Sequence, residues 1–208
     1  MNVRDAYGTW SSTYDSDRNL TRDLDATATR SLLDQRRFHR ILELGCGTGK
    51  NTEFFARICT ELLALDFTPE MLERARAKVP APHVSFVRAD LTAPWPCPDR
   101  SIDLISGNLV LEHIEDLFFI FAEAARTLAH SGTLLISELH PYRQYGGTRA
   151  SFTRGETSVD ITAHVHHVSE FLAAAQRNGL ALKVLKEWWH EDDAGKPPRL
   201  ITMMFQKR

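Results

Sequence analysis

Nine consecutive residues, Ile41-Leu42-Glu43-Leu44-Gly45-Cys46-Gly47-Thr48-Gly49, place an acid and three glycines at the end of an apolar run. The next apolar run, Leu62-Leu63-Ala64-Leu65, also ends in an acid, Asp66. Glycines at a strand-to-helix turn let backbone approach a ligand without Cβ clashes and set a helix N-terminus beside it. A carboxylate at the end of the second strand suits a ribose diol, because it can accept from two adjacent hydroxyls. Together these residues point to a nucleoside-containing cofactor. Two common kinds fail on spacing. The dinucleotide fingerprint GxGxxG, counted from Gly45 and Gly47, puts its third glycine at position 50, where the chain has Lys50. The GxxxxGK pattern of a phosphate loop does not precede Lys50 either.

Acids and histidines recur at the ends of later apolar runs: Asp90-Leu91, Asn108, Glu112-His113 and His140. Carboxyl ends of strands are where open α/β sheets bind ligands. An imidazole takes up a proton near neutral pH, so His113 and His140 are the candidate catalytic groups. His164 and His166 would share a face of a strand, but no carboxylate or cysteine completes a ligand set, and no metal site is expected. The three cysteines, Cys46, Cys59 and Cys97, form no CxxC pair, which suits a reducing compartment.

These groups need a frame that gathers the strand ends. Aliphatic runs predict strands over 40–44, 61–65, 84–88, 102–107, 132–138, 180–187 and 200–206, alternating with helical stretches. That alternation implies an α/β class: a doubly wound, Rossmann-like, seven-stranded, mostly parallel sheet. The last two strands flank a turn with Gly195, Pro197 and Pro198, adding one antiparallel strand near the C-terminus. Thr68 reads as a helix N-cap with Pro69 at the first helical position. Further helices are expected over 115–128 and 168–178. At 208 residues the chain suits one domain, 1–208. Two stretches fall outside the alternation. Residues 1–37, with Tyr7, Trp10 and Tyr14, read as a helical cap. Residues 140–167, with Pro141, Gly146, Gly147 and Gly155, form a long connection of the kind that serves as a lid. The stretch His190-Glu191-Asp192-Asp193 reads as a solvated polar loop.

Taken as a set, these motifs resemble the class I S-adenosylmethionine-dependent methyltransferases, in particular the small single-domain enzymes acting on metabolites. Glu43-Leu44-Gly45-Cys46-Gly47-Thr48-Gly49 matches their acid-x-Gly-x-Gly-x-Gly motif. Leu65-Asp66-Phe67-Thr68, Arg88-Ala89-Asp90-Leu91, Asn108 with Leu111-Glu112-His113-Ile114, and Ser131-Gly132-Thr133-Leu134-Leu135-Ile136 follow in the family's order. The resemblance spans about residues 38–208 and implies a cofactor map. Glu43, Gly45, Cys46 and Gly47 would line the amino-acid end, Gly45 through its carbonyl and Cys46 as a small spacer. Asp66 would hold both ribose hydroxyls, and Phe67 would lie against the adenine. Asp90 would accept from the adenine amino group beside the backbone of Leu91, and the main chain of Asn108 would approach the sulfonium. The product would be S-adenosyl-L-homocysteine. Over the methyl, Tyr7, Trp10, Tyr14 and Tyr142 would form a lid, with His166 and His167 contributing to the acceptor pocket.

A net charge of −2 with interspersed signs offers no global field for nucleic acid or anionic membrane. No apolar run approaches the roughly 18 residues of a membrane span, and no signal-peptide h-region follows Met1. The expectation is a soluble cytoplasmic protein, monomer or homodimer, that methylates a small molecule at oxygen, nitrogen or carbon. The alternatives are methylation of a protein, a carrier-bound chain or RNA, or cofactor binding without methyl transfer.

Overall fold

The computed structural model describes residues 2–154 and 157–208. Two helices open the chain, α1 (Val3–Trp10) and α2 (Leu20–Leu33). There follow β1 (Phe38–Leu44), α3 (Thr52–Ile58), β2 (Cys59–Asp66), α4 (Pro69–Lys78), β3 (Val84–Arg88) and β4 (Ile102–Asn108). Next come a 3-10 turn (Leu111–His113), α5 (Leu117–Thr127), β5 (Leu128–Leu139) and α6 (Pro141–Tyr145). A hairpin, β6 (Ser151–Arg154) and β7 (Thr157–Asp160), precedes α7 (Val168–Arg177), β8 (Leu180–Trp188) and β9 (Leu200–Lys207).

The main sheet runs β3-β2-β1-β4-β5-β9-β8, and β9 is antiparallel to both neighbours. Its order reverses at β1 and β4, so the crevice of an open α/β sheet must form at their carboxyl ends. Register makes this concrete: Leu44 lies beside Leu65 on one side and Gly107 on the other. The residues that follow those three, the glycine turn, Asp66 and Asn108, therefore emerge side by side.

Strands of a sheet covered on both faces read as continuous apolar runs, and Ile41–Leu44 is buried without interruption. On one face Leu42, Leu44, Ile105 and Ile136 pack with Phe121, Phe171 and Phe205. Phe121 meets Phe205 edge-on at 5.5 Å. On the other, Ile41, Leu62, Leu104 and Leu135 pack with Leu33, Phe54, Phe55 and Ile58.

Three expectations are refined or corrected. First, the 140–167 connection carries a hairpin: β6 and β7 pair, with Phe152 opposite Val159. Phe152 is drawn into a small cluster with Ala6, Trp10 and Ile161, so the two stretches outside the alternation pack on each other. Gly155 lies outside the described residues. Second, α5 begins at Leu117 because the Asp116 side chain caps it, accepting from Phe119 N. Third, the 190–193 loop is not simply solvated. Asp193 is 0% exposed, paired with Arg199 at 2.7 Å and Arg143 at 2.9 Å. Hydrogen bonding to Arg199 holds its carboxyl well below the usual range. Among the described residues no helix is long and apolar enough to cross a membrane.

Candidate active site

The crevice at the switch point is a cavity of about 800 Å³. Its floor is the glycine turn after β1. Gly45 has φ +67°, and a Cβ there would lie 2.5 Å from Val110 Cγ2, so the turn closes only without a side chain. Gly47, at φ +53°, has nothing within 4 Å of a Cβ position and faces open space. Gly47 N donates to Asp66 Oδ2 at 2.8 Å, and Thr68 N donates to Asp66 Oδ1 at 2.8 Å. Those two bonds fix the carboxylate while leaving each oxygen a further lone pair. Burial pushes the Asp66 carboxyl up, and the backbone donors oppose it. Thr68 occupies the N-cap position of α4, but its side chain makes no capping bond and its buried hydroxyl has no partner.

Phe67, Asp90, Leu91 and Asn108 also line this cavity, beside Gly45, Gly47 and Asp66. Asp90 Oδ1 accepts from Thr92 N and Oγ1, so it shapes its turn as well. The Asn108 side chain points away: Nδ2 donates to Asp25 and Thr29, and Oδ1 accepts from Ser106. Only its main chain is left for a ligand. The next residue, Leu109, is held at φ +53°, a left-handed conformation that bulky residues rarely adopt.

Two residues expected to line the cofactor's amino-acid end, Glu43 and Cys46, are not in the cavity wall. Glu43 is buried behind the turn, where its carboxylate accepts from Thr52 Oγ1 at 2.6 Å, and burial pushes it up to about 8. Cys46 turns into an apolar cluster with Ala64, Leu72 and Ala75. Both hold the turn from behind instead of facing a ligand.

The wall holds two carboxylates, Asp66 and Asp90, and no lysine or arginine. A nucleotide diphosphate would find no countercharge there, whereas a cationic nucleoside would. The open side of Gly47 and the free acceptor sites of Asp66 fit such a molecule.

Residues 42–136 match the family model described as "Methyltransferase domain". An uncharacterized methyltransferase of Emericella nidulans is 29% identical over 86% of this chain and 75% of its own length. A malonyl-[acyl-carrier protein] O-methyltransferase of Halorhodospira halophila is 34% identical over 67% of this chain, and the match spans about half (48%) of that relative. The crystal structure of the N-methyltransferase NodS from Bradyrhizobium japonicum, in complex with S-adenosyl-L-homocysteine, has the same fold. It covers 100% of this chain and 99% of its own at a TM-score of 0.75 and 18% identity. Residues 42–136 of this chain carry a methyltransferase domain, on the class I fold.

Around the methyltransferase cavity, Tyr7 and His113 form a pair. His113 Nδ1 lies 3.0 Å from the Thr162 carbonyl, which can only accept, so the ring proton sits on Nδ1. Nε2 therefore offers a lone pair, and the Tyr7 hydroxyl, 2.8 Å away, donates to it. Burial holds His113 below the usual imidazole range and raises the Tyr7 phenol well above its own.

His140 stands elsewhere. Its Nδ1 accepts from Tyr142 N at 3.1 Å, and its Nε2 faces Glu187 at 2.9 Å, so both nitrogens are engaged outside the cavity wall. His166 is buried, with Nε2 2.7 Å from the Ile114 carbonyl. His167 is exposed at the start of α7, and Tyr142 is 61% exposed. None of these four lines the cavity. Tyr14 does, and Trp10 stacks at 5.5 Å on Phe152 behind it.

Sequence reasoning missed the polar residues of the cap. Asp25, buried in α2, accepts from both Asn108 and Asn51, tying the cap to the strand ends. Asp15 accepts from Thr48 Oγ1 and Lys78. Glu138, on β5, accepts from Val110 N and Leu111 N and so sets the turn that carries His113; burial pushes it up to about 8. A second cavity, of about 560 Å³, shares Tyr7, Tyr14 and Leu109 with the first.

Proposed function

We propose that this protein transfers the methyl group of S-adenosylmethionine to a small-molecule acceptor bound between Tyr7 and the second cavity. When bound, the cofactor supplies a methyl on positively charged sulfur, already activated for displacement. What the chain must add is alignment, exclusion of water and removal of the acceptor's proton. Asp66 holds the diol and Gly47 admits the ligand against backbone. Leu109 and Tyr7 stand between the two cavities, where an acceptor has to align.

Proton removal follows from the observation that carries this reading: Tyr7 donates to a neutral His113 in the same wall as Asp66. The Tyr7 oxygen still has lone pairs to accept from an O–H or N–H. As the acceptor's proton moves to Tyr7 Oη, the phenol proton moves to His113 Nε2, and the Thr162 carbonyl keeps the ring oriented. Tyr7 is neutral before and after; His113 carries the positive charge.

We take 1–208 as one domain whose residues 1–37 and 140–167 cover the site, a reading supported by the packing of Trp10 on Phe152. A small acceptor is favoured because the net charge is slight. Three free cysteines suit the reducing cytoplasm. Incubation with S-adenosylmethionine and a small-metabolite extract should yield S-adenosyl-L-homocysteine with wild type and little with His113→Ala. Equal yields would exclude the proton pathway, and no yield from wild type in any fraction would exclude methyl transfer to small molecules.

A further inference from the structure

The second cavity contains a charge that the cofactor site does not explain. Arg22, on α2, lines it together with Tyr7, Tyr14 and Glu112, and Arg22 is only 9% exposed. Among the described residues no carboxylate lies within ion-pair distance of its guanidinium. Its partners are instead the carbonyls of Tyr14 and Asp17 and two rings, Tyr14 at 3.9 Å and Trp10 at 5.2 Å from the guanidinium carbon. Its Nε–H is buried and has no partner.

Burying a cation with no ion pair is expensive, and Asp15, which feels its charge, is committed to Thr48 and Lys78. The location adds to the cost, because Arg22 is the third residue of α2, whose N-terminal end is already positive. Tying down the Tyr14–Asp17 turn requires only neutral donors, which glutamine would supply. Two of the five guanidinium N–H groups reach those carbonyls, so three remain. Arg149 adds a second cation to the wall; it is exposed, and 3.6 Å from Asp160.

Resting on the proposed function, we infer that the acceptor is a small carboxylate whose anionic group pairs with Arg22. That group is a handle and not the methylated atom. Arg22 is absent from the cofactor cavity wall, whereas Tyr7, Tyr14 and Leu109 belong to both walls. An acceptor anchored at Arg22 therefore presents its far end to Tyr7 and His113.

The test is calorimetry and thermal shift with a panel of C3 to C6 mono- and dicarboxylates and their matching primary amides, each in saturating S-adenosyl-L-homocysteine. Wild type should bind at least one carboxylate about tenfold or more tighter than its amide, as expected for a charge-assisted pair. Arg22→Met should erase that difference while S-adenosyl-L-homocysteine binding persists, and Arg22→Lys should retain part of it. No preference for any carboxylate over its amide in wild type would overturn the inference without reference to a variant. An undiminished preference in Arg22→Met would overturn it too. Failure of wild type to bind S-adenosyl-L-homocysteine would instead strike the proposed function, and this inference with it.

Discussion

At the scale of single residues, His113 is the sharpest case. A positioned general base contributes about 10²- to 10⁴-fold, so His113→Ala should lower kcat within that range. Its affinity for S-adenosyl-L-homocysteine should be unchanged by titration. Burial holds His113 below the usual imidazole range, so the neutral base persists into mildly acidic solution. The acid limb of kcat/KM should therefore lie below the ordinary histidine range, and an acid limb at or above it would contradict the assignment. The stability linkage has a definite sign. Between the folded and unfolded pKa the unfolded chain binds more protons, so this group makes stability fall as pH drops through that window.

Glu43 and Glu138 act in the opposite sense. Burial raises each to about 8, so the folded protein binds more protons than the unfolded chain from the ordinary carboxylate range up to that value. Stability of the ligand-free protein should decline from about pH 5 to 8, and thermal melts of Glu43→Gln should show a shallower decline. Glu43 also illustrates what a motif conveys. The spacing of Glu43, Gly45 and Gly47 marked the turn that lines the cavity, but not that Glu43 and Cys46 turn inward.

Secondary-structure elements carry a different kind of prediction. Gly45 and Gly47 share a turn but fail differently. A methyl at Gly45 meets Val110 at 2.5 Å, so Gly45→Ala should reduce stability first, by about 1–3 kcal/mol from strain in a left-handed backbone plus the clash. A methyl at Gly47 meets no protein atom within 4 Å, so Gly47→Ala should cost about 1–2 kcal/mol of stability. It should impair cofactor affinity beyond that loss. Denaturant melts beside ligand titrations would separate the two, and equal patterns would contradict the assigned orientations. The cap offers another test. Trp10→Ala removes the ring stacked on Phe152, so limited proteolysis within 1–37 and 140–167 should accelerate while the main sheet stays intact. Unchanged cleavage would argue that α1 and the β6–β7 hairpin do not depend on each other.

For the whole molecule, the main sheet was legible because its strands are apolar runs buried on both faces, with turns marked by glycine, proline and acids. The reversal of strand order then gathered Gly45, Asp66 and Asn108 without further information. Polar residues buried by tertiary packing were not legible. Asp25, Arg22 and Asp193 sit in stretches that look like solvated surface, and nothing in their spacing shows which polar side chain faces inward. The β6–β7 hairpin escaped for a related reason: its strands are four residues each, and Phe152 is held by Trp10 from the far end of the chain. His140 and His166 lie near ligand-bearing strand ends, but partners on distant elements occupy them.

The central claim is that an acidic crevice at the β1–β4 switch point, without lysine or arginine among the described residues, holds a sulfonium nucleoside through Asp66 and the glycine turn. Isothermal titration calorimetry with S-adenosyl-L-homocysteine and with NADH, on wild type and Asp66→Ala, tests it most directly. The account predicts saturable binding of S-adenosyl-L-homocysteine to wild type, at least tenfold weaker binding to Asp66→Ala, and no heat with NADH. Tight NADH binding with no response to S-adenosyl-L-homocysteine would contradict it.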